Sequence, residues 1–194
     1  MILTLATSNP HKVKEINLIA NSYDINFVLP KDNFNPVEDS DNFTGNAICK
    51  AKEASKWGET ELYLADDSGL CVEALGGEPG IYSARYESTP EKRIDKLLKN
   101  LQGIENRSAK FVCAMVIVNK KGDVLYKTQG ECFGNIMHER KGVNGFGYDP
   151  IFFVEKLQKG MAELSPKEKA QVSHRSIALN NVLNWLKNEY KSIL

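Results

Sequence analysis

The sequence has no long apolar run. Its longest, Phe111 to Val118, is far too short to cross a bilayer. The first residues, MILTLATSNP, carry neither the basic region nor the extended apolar stretch of a secretion signal, so a cytoplasmic protein is expected. Charge of one sign is also missing. The 25 basic side chains balance the 25 acidic ones, so no global field draws the chain to nucleic acid or to a membrane, and neither is expected as a partner. An anionic substrate must therefore be met by a local group of cations. Cys49, Cys71, Cys113 and Cys132 show no C-x-x-C spacing and read as reduced, packed thiols rather than disulfides or a zinc site. His11 and His138 lack any ligand spacing. Repeats, low-complexity segments and linkers are absent, as is the Gly-Lys-Ser/Thr ending of a Walker loop. What remains is a globular chain of 194 residues, 42% hydrophobic and 26% charged, enough for a single domain over 1–194, of ordinary size or as two closely packed lobes.

Hydrophobic periodicity places the elements. Ile2 to Ala6 reads as a buried strand, followed by a helix from about His11 with Val13, Ile16, Ile19 and Ala20 on one face. Ile25 to Leu29 reads as a second strand and residues 30–43 as loop. A helix with Ala47, Ala51 and Ala54 at helical spacing follows, then a strand from Leu62 to Ala65. Thr89 and Pro90 open a helix with Ile94, Leu97, Leu98 and Leu101 inside and Gly103 as its stop. Residues 109–136 predict a long hairpin turning at Lys120 to Asp123. A last helix from about Ser173 carries Leu179, Val182, Leu186 and Tyr190. The order predicts an α/β fold with a mixed β-sheet flanked by helices, as two lobes with a cleft between.

Four polar segments require explanation. Thr7-Ser8-Asn9-Pro10-His11-Lys12 joins strand to helix, where free N–H groups and a lysine suit an anion, though a well-capped helix with a surface lysine satisfies the same residues. Asp66-Asp67 stands at the expected end of a strand. Alternation sends one carboxylate to each face, so one can enter a cleft and hold Mg²⁺ while the other stabilises a Ser68-Gly69 turn, or the pair forms an Asx turn without chemistry. Asn144 to Pro150 offers Phe146 for stacking and Asp149 as an acceptor for a base N–H, against a turn whose aromatics enter the core. Lys169, His174 and Arg175 surround the start of the last helix, where single basic residues are usually solvated. An anion turn, a metal-type carboxylate, a stacking ring and converging donors are together the parts of a nucleotide site.

In these motifs and their order the sequence resembles the inosine triphosphate pyrophosphatase family. T-x-N-x-x-K stands as Thr7, Asn9 and Lys12; A-D-D-S-G-L as Ala65 to Leu70; G-x-P-G-x-x-S-A-R-[YF] as Gly77 to Tyr86. G-G-F-G-Y-D-P is present except that Asn144 replaces the first glycine, and S-H-R stands as Ser173 to Arg175. The resemblance implies an elongated sheet with a central nucleotide-binding cleft, usually in a homodimer. It also implies a Mg²⁺-dependent hydrolase that converts dITP, ITP or XTP to the monophosphate and pyrophosphate.

The family's pattern assigns Asp67 and Lys50 to catalysis, and Asp67 with Glu38 to the metal. Thr7, Ser8, Asn9, Pro10, His11, Lys12 and Ser68 would meet phosphates and sugar. Phe146, Gly147, Tyr148, Asp149, Lys169, His174 and Arg175 would meet the base. One departure stands out: the family's T-F-x-E-N-A reads here as Asn42 to Ala47, with Gly45 at the glutamate. A non-catalytic purine nucleotide sensor is the alternative that this change raises.

Overall fold

A computed structural model describes residues 1–30 and 34–190. Its seven strands are β1 (Ile2–Leu5), β2 (Asn26–Val28), β3 (Leu62–Val72), β4 (Ser108–Asn119), β5 (Val124–Ile136), β6 (Phe152–Val154) and β7 (Lys159–Gly160). They form one open sheet in the order β2-β1-β3-β4-β5-β6-β7. The pairs β1–β2 and β1–β3 are parallel, whereas β5–β6 and β6–β7 are antiparallel. The helices are α1 (Pro10–Ala20), α2 (Phe43–Ser55), α3 (Pro90–Asn100), α4 (Pro166–Val172) and α5 (His174–Asn188). The mixed sheet flanked by helices is the expected class.

Contacts divide the chain into two units. The first comprises residues 1–67, 113–130 and 175–194, and the second residues 68–112 and 131–174. In the first, strand alternation sorts side chains into two layers. Leu3, Leu5, Leu62, Leu64, Cys113, Met115 and Ile117 pack with Ile16 and Ala20 of α1 and with Ala178, Leu179, Val182 and Leu186 of α5. The other face carries Ala6, Tyr63, Ala65, Val116 and Val118 against Ala47, Ala51 and Ala54 of α2. Three alanines on one helical stripe let α2 approach the sheet closely, which becomes important for two polar residues on the same stripe. The second unit packs Ile94, Leu97 and Leu101 of α3 with Leu70, Val72, Phe111, Cys132, Tyr148, Ile151, Phe152, Leu164 and Val172.

The expected caps are in place. Asn9 accepts from the His11 and Lys12 N–H groups, with Pro10 in the first turn of α1, and Thr89 accepts from the Lys92 N–H ahead of α3. Gly103 lies at φ +74°, where glycine is favoured. The expected loop spans 30–43, of which Lys31, Asp32 and Asn33 lie outside the described residues, while Phe43 already begins α2.

Two expectations are corrected. The strand expected to stop at Ala65 continues to Val72, so Asp66, Asp67, Ser68 and Gly69 are internal to β3 and form no turn. The apolar run resumes at Leu70, and cations paired with the carboxylates offset part of the cost of keeping them inside. The second correction is an additional helix, α4, ahead of the last one. Ser165 and Glu168 form a reciprocal capping box around Pro166 at its start.

Candidate active site

The alternation of β3 sends its two neighbouring aspartates to different helices. Asp66 continues the face of Leu62 and Leu64 toward α1 and α5, and Asp67 continues that of Tyr63 and Ala65 toward α2. Asp66 is 1% exposed, and its Oδ2 lies 2.9 Å from Lys12 Nζ and 3.5 Å from an Arg175 guanidinium nitrogen. Arg175, also 1% exposed, additionally pairs with Glu15 of α1. The Cys113 thiol approaches the same Oδ2 at 3.9 Å, and burial pushes it up to about 12, so it stays protonated. Burial by itself would raise Asp66, but Lys12, Arg175 and Lys50 together hold it well below the usual carboxylate range.

Asp67 has a different environment. Lys50 Nζ donates to its Oδ1 at 2.9 Å, and Asn46 Nδ2 to its Oδ2 at 3.1 Å. Burial raises its affinity for a proton, and Lys50 opposes that without reversing it. Lys50 is itself buried, which favours its neutral form, but Asp67, Asp66 and Glu38 outweigh this and keep it an ammonium ion. Glu38 Oε1 lies 2.8 Å from the same Nζ. Adjacent residues of one type are thus driven in opposite directions: Asp66 favours its ionised form, and Asp67 is the better proton acceptor. In enzymes, environments that separate two carboxylates in this way can suit them to different chemical tasks.

The Asp67–Glu38 pair has the donor chemistry of a magnesium site. Both oxygens are hard, both converge on Lys50, and Mg²⁺ usually takes one or two carboxylates, completing its shell with water and phosphate. Among the described residues no group of three or more His, Cys, Asp or Glu gathers into a complete cage.

Other expected residues fall into place unevenly. Thr7 is buried and its Oγ1 accepts from the Asn9 N–H at 3.2 Å, so the turn is a cap whose lysine faces inward at 13% side-chain exposure. Ser8, Pro10 and His11 are exposed, and Ser68 is half-buried within β3. In the second unit, Asp149 Oδ2 accepts from the Phe146 N–H at 2.8 Å and from Lys169 Nζ at 2.6 Å. The Lys169 ammonium also stands 5.0 Å from the centre of the Phe146 ring. Gly145 permits this corner: its φ is +78°, and a Cβ there would collide with Asp149 Oδ2. Asn144, in place of a glycine, ties the loop to the Leu164 carbonyl at 3.1 Å.

Gly147 belongs to the same turn, whereas Tyr148 turns away from it into the core, its hydroxyl donating to the Ser83 carbonyl at 3.0 Å. His174 is buried and stacks on Phe111 with ring centres 4.9 Å apart. Lys169, His174 and Arg175, expected on local grounds to be solvated, are all buried. The structure joins Arg175 to Asp66 and Glu15.

Glu15 and Asn46 were not singled out by sequence reasoning. Both carry a readable signal: Glu15 is one turn from Lys12 on α1, and Asn46 and Lys50 are polar residues interleaved with the alanine stripe of α2.

Gly45 stands in the first turn of α2, where its N–H donates to Asn42 Oδ1 at 2.8 Å. A Cβ there would run into the Ser40 side chain. We therefore expect Gly45→Ala to lower stability despite alanine's better helix propensity, and Ser40→Gly combined with it to recover much of the loss. Chemical denaturation of the single and double variants measures this coupling, and strict additivity would show that the two positions do not compete for space.

The open mixed sheet with a polar site on its third strand marks an α/β protein, and known proteins match the chain along nearly its whole length. The Ham1 family model matches residues 3–185. The dITP/XTP pyrophosphatase of Clostridium tetani is 43% identical over 192 residues, 95% of each chain. The enzyme of that name from Synechocystis sp. is 40% identical, covering 94% of this chain and 93% of its own. Among solved structures, the Staphylococcus aureus Ham1 protein superposes with a TM-score of 0.86 at 38% identity, over 97% of this chain and all of that one. A HAM1 protein from Coxiella burnetii gives 0.84 at 36% identity, over 96% and 98%. The chain belongs to the Ham1 family.

Proposed function

We propose that the protein hydrolyses non-canonical purine nucleoside triphosphates (dITP, ITP and XTP) to the monophosphate and pyrophosphate, clearing them from the nucleotide pool. The names of its relatives support the substrate class. The observation that carries the chemistry is the opposed tuning of Asp66 and Asp67. Asp67 accepts the proton of, or orients, a water that attacks the α-phosphorus; the bond to the bridging oxygen breaks and pyrophosphate departs. Lys50 and Lys12 offset the charge that develops on the phosphates. Asp67 and Glu38 would hold Mg²⁺, which when bound supplies charge neutralisation to the phosphate oxygens.

For the base, we assign Phe146 to stacking and Asp149 with Lys169 to the polar edge. Hypoxanthine and xanthine present an acceptor oxygen at C6 that an ammonium can meet. Adenine places a donor there and leaves both groups unpaired. A homodimeric, cytoplasmic enzyme acting on free nucleotides completes the proposal. No helix among the described residues is long and apolar enough to cross a membrane. The sensor alternative finds no support in the relatives, which are named for catalysis. Nor does the change at Gly45 strip the site of a second carboxylate, because Glu38 reaches Lys50.

The test is a panel of nucleoside triphosphates with Mg²⁺, resolving monophosphate, diphosphate, pyrophosphate and phosphate. Equimolar monophosphate and pyrophosphate from ITP supports the proposal, and diphosphate with phosphate refutes it. Lys12→Ala should weaken triphosphate binding by about 1.5–3 kcal/mol, as expected of a charge-assisted hydrogen bond, and to a similar degree for ITP and ATP. Unchanged affinity by calorimetry would remove Lys12 from the phosphate site.

A further inference from the structure

Lys50 is not the only side chain that α2 sends to Asp67. Asn46, one turn earlier on the same stripe, is fully buried. Its amide makes two contacts: Nδ2 donates to Asp67 Oδ2 at 3.1 Å, and Oδ1 accepts from the Ser40 backbone N–H at 3.0 Å. The orientation of the amide follows from its partners. A backbone N–H can only donate, so the oxygen must face Ser40, which leaves the NH₂ for the carboxylate. Lys50 bridges in parallel, to Asp67 Oδ1 at 2.9 Å and to Glu38 Oε1 at 2.8 Å.

The last torsion of an aspartate is soft, so one contact to one oxygen leaves the carboxylate free to rotate. Here each oxygen has its own partner, one from each of two side chains on successive turns of α2. The residue that fixes Oδ2 also anchors, at Ser40, the segment that bears Glu38. We propose that Asn46 is a positioning residue. Its single amide sets the plane of the Asp67 carboxylate and holds the Glu38 segment in step with it, so that the two carboxylates are presented together. Groups that orient metal-binding or catalytic side chains in this way typically account for 10- to 100-fold in activity or metal affinity.

The inference rests on the proposed reaction, and the experiment separates the two. Asn46→Asp keeps the acceptor for Ser40 but replaces the donor to Asp67 with a repelling oxygen, whereas Asn46→Ala removes both contacts. Steady-state pyrophosphate release from ITP gives kcat and KM, and electron paramagnetic resonance gives the affinity of the substrate-free protein for Mn²⁺ alone. We expect kcat to fall about 10- to 100-fold in both variants with KM little changed, and Mn²⁺ affinity to weaken about 10-fold or more in Asn46→Ala. An unchanged kcat in Asn46→Asp, or an unchanged Mn²⁺ affinity in Asn46→Ala, overturns the inference. So does a fall in kcat that only tracks the fraction of folded protein in a melting experiment. A parent protein that releases no pyrophosphate overturns the proposed reaction instead, and the Mn²⁺ measurement then decides the role of Asn46 independently.

Discussion

Replacing Asp67 with asparagine is expected to lower kcat for pyrophosphate release from ITP by about 10²- to 10⁴-fold, the usual contribution of a positioned general base. Asparagine has nearly the same shape, so packing against Tyr63, Ala65 and α2 survives. What is lost is the negative charge and the lone pair that takes a proton. Burial already raises the proton affinity of Asp67, which makes it a better acceptor than an ordinary surface carboxylate. An amide cannot satisfy both of its neighbours. Lys50 and Asn46 are donors on opposite oxygens, so one contact becomes donor-to-donor whichever way the amide points, and a small fall in stability accompanies the loss of rate. Affinity for ITP, measured by calorimetry, should change far less than kcat. A variant that turns over at the parent rate would transfer the role of base to another group.

The second large effect is expected at Arg175, and it should appear in stability. The guanidinium lies between Asp66 and Glu15 at 1% exposure, so Arg175→Met removes a buried cation that both carboxylates share. Breaking a buried ion pair from one side typically costs about 3–5 kcal/mol, and urea unfolding should show a loss of that order. The pH dependence follows from the depressed value of Asp66. Its ionised contacts stabilise the fold above the ordinary aspartate value of about 3.9, and that contribution fades as pH falls through the lower, folded-state value. The deficit of Arg175→Met should therefore be largest near neutrality and shrink on acidification. Pairing the change with Asp66→Asn should recover part of it, since the buried carboxylate that faced the guanidinium is then neutral. Equal unfolding midpoints for parent and variant at neutral pH would contradict this account.

Much of the fold follows from local pattern. The caps at Asn9 and Thr89, the Ile94–Leu97–Leu101 stripe and the hairpin after Ala109 depend on residues close in sequence, and each is visible there. The length of β3 is not. Asp-Asp-Ser-Gly reads as a turn by every local rule, and the cations that make it acceptable inside a strand come from Lys12 and Arg175, near opposite ends of the chain. The same long-range pairing explains why Lys169 and Arg175 are buried when their neighbours suggest solvation. The helix at Pro166 is a different kind of omission, because its Ser165-Pro166-Lys167-Glu168 start was present to be read. The family's motif singled out Asp67 for catalysis and the metal, but the turn expected of its neighbour is absent, and Asp66 pairs instead with Lys12 and Arg175.

That alternation also acts as a frame-keeper for the strand. A slip of one residue in β3 would turn every side chain to the opposite layer. Slipped one way, Asp66 would meet Lys50 and Asn46, and Ala65 would face Lys12 and Arg175 with no charge to offer. Slipped the other way, Asp67 would answer Lys12 and Arg175, and Ser68 would face a buried ammonium. Only one phase of the strand gives each layer its anion. A missense change at the apolar positions of β3 can be absorbed by repacking, but an insertion or deletion between Leu62 and Asp67 cannot. Length, as much as the identity of the two aspartates, is the quantity this segment must hold fixed as the chain diverges.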